Sequence, residues 1–509
     1  MQSDTPNWRD VLIAYTHPRV VAMLFLGFSA GLPLLLIFST LSLWLREAEV
    51  SRSTVTYFSW AALGYSFKFV WAPLIDKLPI PWLSQRLGHR RAWLLVSQGA
   101  IVTAILWMAL TDPARHLTAM AVGAVLLGFS SATQDIVIDA YRIESADKAM
   151  QALLASSYIA GYRLGMLAAG AGALKLAVWF GAEGGYHYEA WRNAYLCMAA
   201  AMGIGLATTL LIPEPVVAGR GASHLNSLGD YLRFLLLFVT AASVFALSFA
   251  YSAAGFAFLQ ENREHAGLGA FLLEALHLFT ALLTAWLAAR LLVRLGAVRA
   301  EVLRETYVEP MADFFRRYGR PALLILALIG TYRISDIVLG VISNVFYQDL
   351  GFSKDQIADI TKTFGLIMTI VGGFLGGGLA LRFGVMRVLF HGAVLAAGTN
   401  LLFIVLAGAG PNLPLLMLVI GADNLSAGMA GAAFVAYLSG LTSISFTAFQ
   451  YALFSSLMTL VPKLFAGYAG TIVDAVGYNA FFLLTALLGV PVLLLILLAR
   501  RLAPAEESR

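Results

Sequence analysis

The chain has 509 residues, of which 60% are hydrophobic and only 12% are charged. Soluble globular domains carry about 25% charged residues, so this composition excludes a soluble protein and indicates one that crosses a membrane many times. The net charge of +5 is modest and fits arginines in loops better than nucleic-acid binding. Cys197 is the only cysteine, which excludes a disulfide within the chain.

The apolar runs predict an all-α membrane protein. The first 19 residues are polar and the first apolar run has the length of a span, so we expect an uncleaved first helix rather than a signal peptide. A span needs about 20 apolar residues. Runs of that kind predict six spans, then two, then six, about 14 in all, near 20–45, 54–75, 92–110, 118–141, 152–180, 190–212, 231–259, 267–292, 321–348, 356–380, 386–409, 414–438, 446–470 and 477–499.

These runs predict four regions. They are an N-terminal six-helix bundle at 1–213, two additional transmembrane helices at 214–293, a basic cytoplasmic linker helix at 294–320, and a C-terminal six-helix bundle at 321–509. Lysine and arginine concentrate in the loops that are cytoplasmic when the N-terminus is cytoplasmic, so we expect both termini on that side. Two six-helix halves resemble the major facilitator architecture, in which one half rocks against the other.

Two loops are similar to the facilitator loop signature Gly-x-x-x-Asp-Arg-x-Gly-Arg-Arg. The loop after the second span carries Asp76 and, after an insertion, Gly88-His89-Arg90-Arg91; its counterpart at 381–387 lacks the aspartate. Asp76 at a helix end would pair with an arginine such as Arg90 in one conformation only. The alternative, which we favour for the individual arginines, is a positively charged anchor at the cytoplasmic surface.

Two aspartates lie within an apolar run at 119–142. Asp135 and Asp139 are four residues apart and therefore share one helix face, with Gln134 beside them. Carboxylates at bilayer depth are costly and usually serve a function inside a helix bundle, so we expect these two to exchange protons. Asp139 is the weaker candidate because it lies near the inner interface, where Arg142 would neutralise it.

Further charges lie deep within predicted spans: Lys68, Arg163, Arg333, Asp336 and Asp423. Arg333 and Asp336 are three residues apart and can pair along one helix face. Two interpretations stay open for these groups. They either neutralise one another as structural ion pairs, or they line a cavity and exchange protein partners for an anionic substrate.

Aromatic side chains lie close to these charges in the sequence, including Trp44, Tyr65, Trp71, Tyr158 and Tyr162. They would stack on sugar rings, but membrane spans are rich in aromatic residues in any case.

Segments from both halves resemble the AmpG muropeptide permease family of the major facilitator superfamily. The segments are Leu26–Pro33, Phe67–Asp76, Ala132–Ala140, Gly161–Met166, Tyr332–Asp336, Lys362–Leu366, Asp423-Asn424 and Ser445–Ala452.

The resemblance implies a transporter, not an enzyme, with no cofactor or metal. Such a protein would import GlcNAc–1,6-anhydro-MurNAc-peptides with protons from periplasm to cytoplasm across the bacterial inner membrane. The imported compounds would feed peptidoglycan recycling and signal β-lactamase induction. Its partners would be muropeptide, protons and the lipid bilayer, without nucleic acid, and we expect a monomer.

The resemblance also implies residue roles. Proton coupling would fall to Asp135, Asp139 and Asp336, and conformational roles to Gly161, Asp76 and Arg90. Substrate would be bound by Lys68, Gln134, Tyr162, Arg163, Arg333, Asp423, Asn424, Gln450, Trp44 and Tyr65. The chain departs from the family at Ala422, where an acidic or bulkier residue is expected, and the two extra spans are placed variably within the family.

Other functions stay open. One is a facilitator of another organic anion, such as an acyl-CoA or a nucleotide-linked compound. A membrane-embedded transferase would need catalytic groups at one interface or a large outer domain, whereas the predicted outer loops are short. A non-transporting sensor would bind its ligand without accumulating it.

Overall fold

The structure is a computed structural model that describes residues 6–51, 54–55, 58, 65, 67–182, 186–217, 228–261 and 268–502. Every regular element in these ranges is a helix, which confirms the predicted all-α class. Most of the predicted second span, 54–75, lies outside the described residues until Phe67.

The first part of the chain contains the helices of the predicted N-terminal bundle. Short 3₁₀ segments lie at Lys68–Val70 and Lys148–Met150, and a π segment at Ala168–Gly172 joins α8 to α9. The α-helices are α1 (Trp8–Tyr15), α2 (Pro18–Ile37), α3 (Ser39–Glu47), α4 (Ala72–Lys77), α5 (Leu83–Leu87), α6 (His89–Ala109), α7 (Leu117–Ser145), α8 (Gln151–Leu167), α9 (Ala173–Trp179), α10 (Tyr188–Ala201) and α11 (Gly203–Leu211).

The rest of the chain is helical in the same way. Two π segments, Arg304–Val308 and Ala358–Phe364, and a 3₁₀ segment, Ile444–Phe446, extend the α-helices. The α-helices are α12 (Leu228–Glu261), α13 (Leu268–Arg294), α14 (Ala300–Leu303), α15 (Glu309–Tyr318), α16 (Pro321–Thr331), α17 (Ile334–Asp349), α18 (Lys354–Ile357), α19 (Gly365–Phe383), α20 (Val385–Ala409), α21 (Leu413–Leu441), α22 (Thr447–Ala466), α23 (Ala469–Leu487) and α24 (Gly489–Leu502).

Eleven helices in the described part of the chain are long and apolar enough to cross a membrane. They coincide with eleven of the 14 predicted spans, so the multi-pass architecture is confirmed and the number 14 is not. Of the other three predicted spans, 152–180 and 267–292 are helical in the structure but are not among the eleven.

The chain divides into two compact units. One comprises 1–75, 79–219 and 318–509, and therefore holds both predicted six-helix bundles; the other comprises 76–78 and 220–317. The finer division of the chain at 213, 293 and 320 stays a prediction.

The first candidate membrane span of each bundle, Pro18–Glu47 and Pro321–Asp349, is interrupted by a residue with non-helical backbone angles. In the N-terminal bundle Phe38, with φ −97° and ψ −101°, separates α2 from α3. In the C-terminal bundle Arg333, with φ −98° and ψ 13°, separates α16 from α17. Irregular backbone at membrane depth is tolerated where it is buried in protein or lines a cavity.

Glycines set the closest helix contacts in both bundles. A Cβ at Gly161 on α8 would lie 1.9 Å from the carbonyl oxygen of Leu24 on α2, and one at Gly372 on α19 would lie 2.1 Å from that of Leu425 on α21. Small residues let helix backbones approach in lipid, where packing rather than hydrophobic exclusion drives association. Each bundle thus contains a helix pair whose close approach depends on glycine.

Candidate functional site

The two predicted acids lie together in the N-terminal bundle. Asp135 and Asp139 are both on α7 and each is only 7% exposed. Lys68, 8% exposed, reaches them from the 3₁₀ segment, with its Nζ 3.6 Å from Asp139 Oδ2. The structure thus places Lys68 beside the acid pair. This position agrees with both interpretations of Lys68, a structural ion-pair partner and a cation that lines a cavity.

Asp139 contacts a second cation. The Nη2 of Arg142, a residue with 0% exposure, lies 3.2 Å from Asp139 Oδ1. Asp139 is therefore held between Lys68 and Arg142, and the neutralisation by Arg142 that its sequence position suggested is present.

Asp135 has a different environment. Its Oδ1 accepts a long hydrogen bond of 3.5 Å from the hydroxyl of Tyr158 on α8. Among the described residues no lysine, arginine or histidine nitrogen lies within 4.0 Å of it, although the charges of Lys68 and Asp139 act on it. Asp135 is thus a membrane-buried carboxylate without a direct cation partner in the described chain.

Arg142 also joins the two bundles. Its Nη1 donates to Ser439 Oγ on α21 at 2.6 Å, and its guanidinium carbon lies 5.0 Å from the centre of the Tyr451 ring on α22. A weaker contact of 3.4 Å leads to Gln151 Oε1 at the start of α8. One buried guanidinium therefore contacts an acid of the first bundle and two residues of the second.

Further contacts between the bundles lie at the same helix ends. The hydroxyl of Tyr15 on α1 donates to the carbonyl oxygen of Phe374 on α19 at 2.6 Å and lies 3.2 Å from Ser156 Oγ on α8. A Cβ at Gly377 would come within 2.5 Å of the Tyr15 hydroxyl and 2.6 Å of Ser156 Oγ. The bundles are therefore in close contact where α7 ends and α8 begins.

A cavity of about 630 Å³ adjoins this contact. Both bundles line it, and its charged and polar walls include Arg19, Glu144, Asp147, Lys148, Gln151 and Ser439.

The C-terminal bundle has its own polar cluster. Arg333 Nε lies 3.9 Å from Asp336 Oδ2, a loose ion pair along one helix. Asp423 Oδ1 accepts a hydrogen bond from the hydroxyl of Thr399 at 3.3 Å, and the negative charge of Asp336 repels that of Asp423. The neighbouring Asn424 is also held, since its Oδ1 accepts from a threonine hydroxyl on α19 at 2.9 Å.

Arg163 has no carboxylate within 4.0 Å among the described residues. Within that part of the chain its one polar contact is Nη1 to Met166 Sδ at 3.9 Å, and the like charge of Arg333 from the other bundle acts on it. A half-buried guanidinium with no carboxylate within 4.0 Å in the described part of the chain can accept an external anion.

The predicted stacking residues differ in their surroundings. Trp44 is fully buried in the core of the N-terminal bundle, stacked on Trp191 at 5.8 Å, so its ring faces protein on all sides. By contrast, Tyr65 and Tyr162 are partly exposed; the Tyr65 hydroxyl donates to Ser131, and the Tyr162 ring lies 6.0 Å from that of Tyr158. Of the three aromatic residues expected to bind substrate, Trp44, Tyr65 and Tyr162, Trp44 is the one that this conformation removes from a ligand's reach.

The two predicted glutamines are both buried. Gln134 is 0% exposed, and neither atom of its amide has a hydrogen-bond partner among the described residues. Gln450 accepts from the backbone N–H of Ser443 at 2.8 Å and so helps to hold the start of α22. Buried polar groups are rarely left unpaired, but the amide of Asn400 also lacks a partner among the described residues, so this feature alone does not mark Gln134 as a ligand contact.

Arg90 has an acidic partner that the sequence did not reveal. Its Nε and Nη2 bind the two carboxylate oxygens of Glu144 at 2.9 and 2.6 Å, and its backbone N–H donates to Glu214. Arg90 is 1% exposed, so it is built into the bundle rather than placed at the surface. Asp76, its proposed partner, is half-buried at the end of α4.

Sequence reasoning missed Ser439, Glu144, Glu214 and Tyr15. Their partners are as far away as 359 residues along the chain for Tyr15 and Phe374, and 297 residues for Ser439 and Arg142. Helix periodicity reports only neighbours on the same helix. The one available signal was the position of the two glutamates next to predicted span ends.

Comparisons with known proteins agree with this architecture. A family model described as Major Facilitator Superfamily matches residues 15–304 and 322–509. The chain is 30% identical over 479 residues to "Putative transporter AmpG 4" of Rickettsia conorii, covering 94% of this chain and 96% of that protein. It is also 30% identical over 490 residues to the anhydromuropeptide permease of Escherichia coli K12, covering 96% of this chain and 81% of that one.

Solved structures share the fold. The proton:xylose symporter XylE aligns with a TM-score of 0.55 at 14% identity, over 97% of this chain and 96% of that one. The fucose:proton symporter FucP of E. coli aligns with a TM-score of 0.57 at 11% identity, over 96% and 99%.

The fold and the matching family model define a multi-pass membrane transporter of the facilitator type, not an enzyme. The chain belongs to the Major Facilitator Superfamily and, within it, to the AmpG family.

Proposed function

We propose that this chain imports anhydro-muropeptides, GlcNAc–1,6-anhydro-MurNAc with a stem peptide, together with protons. The observation that carries the substrate class is the 30% identity, over 96% of the chain, to a protein named anhydromuropeptide permease. The transport would run from periplasm to cytoplasm across a bacterial inner membrane, through a monomer with both termini cytoplasmic.

Asp135 is the proposed proton carrier. A buried carboxylate is stable when protonated and costly when charged, unless a cation neutralises it. Lys68 contacts Asp139 directly and acts on Asp135 only from farther away. Protonation of Asp135 therefore breaks no ion pair, whereas protonation of Asp139 would leave two cations without their acid.

The proposed substrate groups come from both bundles. Arg163 and Arg333 would bind carboxylates of the stem peptide, because guanidinium groups recognise carboxylates bidentately. Tyr65 and Tyr162 would contact the sugars, and Gln134 would bond to a hydroxyl or an amide. A substrate held by both bundles favours the conformation in which they close around it.

The proposed orientation identifies the transport state. With cytoplasmic termini, the bundle contacts at Tyr15–Phe374 and Arg142–Ser439 lie on the cytoplasmic side. The structure then represents a state closed to the cytoplasm, and its 630 Å³ cavity lies on the cytoplasmic face, where substrate would leave.

Uptake into right-side-out and inside-out vesicles that contain the protein tests the proposal. Labelled anhydro-muropeptide should accumulate in right-side-out vesicles under an inward proton gradient, and a protonophore should abolish the accumulation. Acetyl-CoA serves as the competing anion, and vesicles without the protein give the background. Preferential uptake of acetyl-CoA, a chemically altered muropeptide, or binding without accumulation would each contradict the proposal.

A further inference from the structure

Arg142 occupies a position that none of the proposed binding or proton-carrying roles uses. It is 0% exposed and contacts Asp139 at 3.2 Å, Ser439 at 2.6 Å and the Tyr451 ring at 5.0 Å. The first contact lies within the N-terminal bundle and the other two lie on the C-terminal bundle.

We infer that Arg142 is a positioning residue that transmits the charge state of the acid pair to the contact between the bundles. Asp139 binds Nη2 of the guanidinium, and this leaves Nη1 directed at Ser439. An arginine suits this role because its planar fork presents several donors in fixed directions, which a lysine does not. The inference rests on the proposed proton coupling and extends it to the mechanical step.

The charged and titratable groups around Asp139 define how the signal would pass. On its own helix they are Asp135 and Arg142; the others are Lys68 on the 3₁₀ segment, Tyr158 and Tyr162 on α8, and Tyr451 on α22.

Lys68 is the link between the two acids. While Asp135 is charged, it shares the positive charge of Lys68 with Asp139. When Asp135 takes up a proton, Lys68 is attracted to Asp139 alone and competes with Arg142 for that carboxylate. Arg142 is then held less firmly towards Ser439, and the contact between the bundles weakens. By linkage, opening of the contact must in turn favour the protonated acid.

The test measures the opening of the contact directly, without transport. Ala152 on α8 is 1% exposed, and its carbonyl oxygen would lie 2.9 Å from a Cβ at Gly377 of the other bundle. A cysteine at this position, in a Cys197→Ser background, should react with N-ethylmaleimide only when the bundles separate. This reagent crosses membranes, so the result does not depend on the orientation of the chain.

Four variants are compared in this background: Arg142→Lys, Ser439→Ala, the double variant and Asp139→Asn. Hydrogen bonds to charged groups contribute about 1.5–3 kcal/mol, so we expect each single variant to raise the labelling rate about tenfold or more. The double variant Arg142→Lys/Ser439→Ala should react no faster than the faster of its two parents, because both changes remove the same contact.

Arg91→Lys is the matched control. Like Arg142, Arg91 donates hydrogen bonds from its guanidinium. Its acceptors are the backbone carbonyls of Thr209 and Leu210, at 3.0 and 2.7 Å, which belong to the same bundle as Arg91. Its labelling rate should equal that of the parent. Should Arg142→Lys fail to fold, Ser439→Ala carries the test, with its melting temperature compared with that of the parent.

Unchanged labelling in the folded Ser439→Ala variant, or multiplicative effects in the double variant, would overturn the inference. Such a result alongside proton-driven muropeptide uptake would remove the role of Arg142 and leave the proposed function intact. Faster labelling of the variants in a protein that takes up no muropeptide would support the role of Arg142 in the bundle contact and contradict the proposed function.

Discussion

Lys68 Nζ lies 3.6 Å from Asp139 Oδ2, with the two residues only 8% and 7% exposed. This pairing adds to the difference between Asp135 and Asp139 that the position of Arg142 in the sequence already indicated. Asp139 has two cations in contact, Lys68 and Arg142, whereas in the described part of the chain the Asp135 carboxylate accepts one long hydrogen bond, from the hydroxyl of Tyr158. The acid without a direct ion pair is the one that can change its charge without dismantling the others.

Asp135→Asn should therefore abolish proton-driven accumulation of muropeptide while leaving exchange. An asparagine keeps the size of the side chain but cannot release a proton, so uptake should stop at an inside-to-outside ratio of roughly one, the equilibrium value without coupling. The measurement is the steady-state ratio in vesicles under an imposed pH gradient, with counterflow as the assay for exchange.

Asp355→Asn is the control for Asp135→Asn, since Asp355 is an exposed acid on α18 that does not line the cavity. It should accumulate substrate as the parent does. Concentrative uptake by Asp135→Asn at the parental level would show that another group carries the proton.

Arg163→Gln and Arg333→Gln should weaken the uptake of peptide-bearing substrate more than that of the bare disaccharide. Each guanidinium would donate charge-assisted bonds to a carboxylate, so the difference between the two substrates should be about tenfold in kcat/KM. Arg163 should show the larger effect, because Arg333 has Asp336 as an alternative partner at 3.9 Å.

Lys175→Gln controls for the loss of positive charge along the same helical stretch, because Lys175 on α9 is exposed. Its preference between the two substrates should not change. Equal losses for peptide-bearing and bare substrate in the arginine variants would argue against carboxylate recognition.

The fold was predictable from the sequence to the level of its helices. A backbone in lipid must satisfy its own hydrogen bonds and therefore forms a helix, so apolar runs of span length predict helices directly. The predicted and observed helix positions agree closely for this reason. Burial of Asp135 and Asp139 also followed, since acids in such a run have few other places to go. The partners did not follow: Arg142 reaches Ser439 and Arg90 reaches Glu144 across separate helices, and no local pattern encodes helix neighbours. Trp44 is a second example, because the sequence around it cannot distinguish a ring in the core from one in a cavity.

Gly161→Ala should destabilise the protein although it adds one methyl group. The new Cβ would lie 1.9 Å from the carbonyl oxygen of Leu24, and no side-chain rotation relieves a clash with backbone. Overpacking costs about 1–3 kcal/mol where side chains can adjust, and we expect at least the upper value here. The measurement is the melting temperature in detergent together with the yield of folded protein.

Gly172→Ala is the matched control for Gly161→Ala on the same helical run, because a Cβ there would have no neighbour closer than 3.8 Å. It should melt at or above the temperature of the parent, since alanine favours helix over glycine by about 1 kcal/mol. Normal stability and uptake in Gly161→Ala would mean that α2 and α8 do not pack as described.

Arg90→Ala should unfold or strongly destabilise the N-terminal bundle. Arg90 binds both carboxylate oxygens of Glu144, and the two side chains are 2% and 0% exposed. Removing one partner of a buried ion pair costs about 3–5 kcal/mol, because the other charge stays buried. The melting temperature in detergent should fall accordingly, whereas Arg86→Ala should change it little, since Arg86 is exposed and lies over the Trp82 ring at the surface.

The double variant Arg90→Ala/Glu144→Ala separates a structural pair from a conformational latch. If the pair is structural, removing both charges should recover part of the lost stability, because neither charge of this pair stays behind without the other. A latch that forms in one state only predicts the reverse: Arg90→Ala would leave the melting temperature nearly unchanged and alter the transport rate instead.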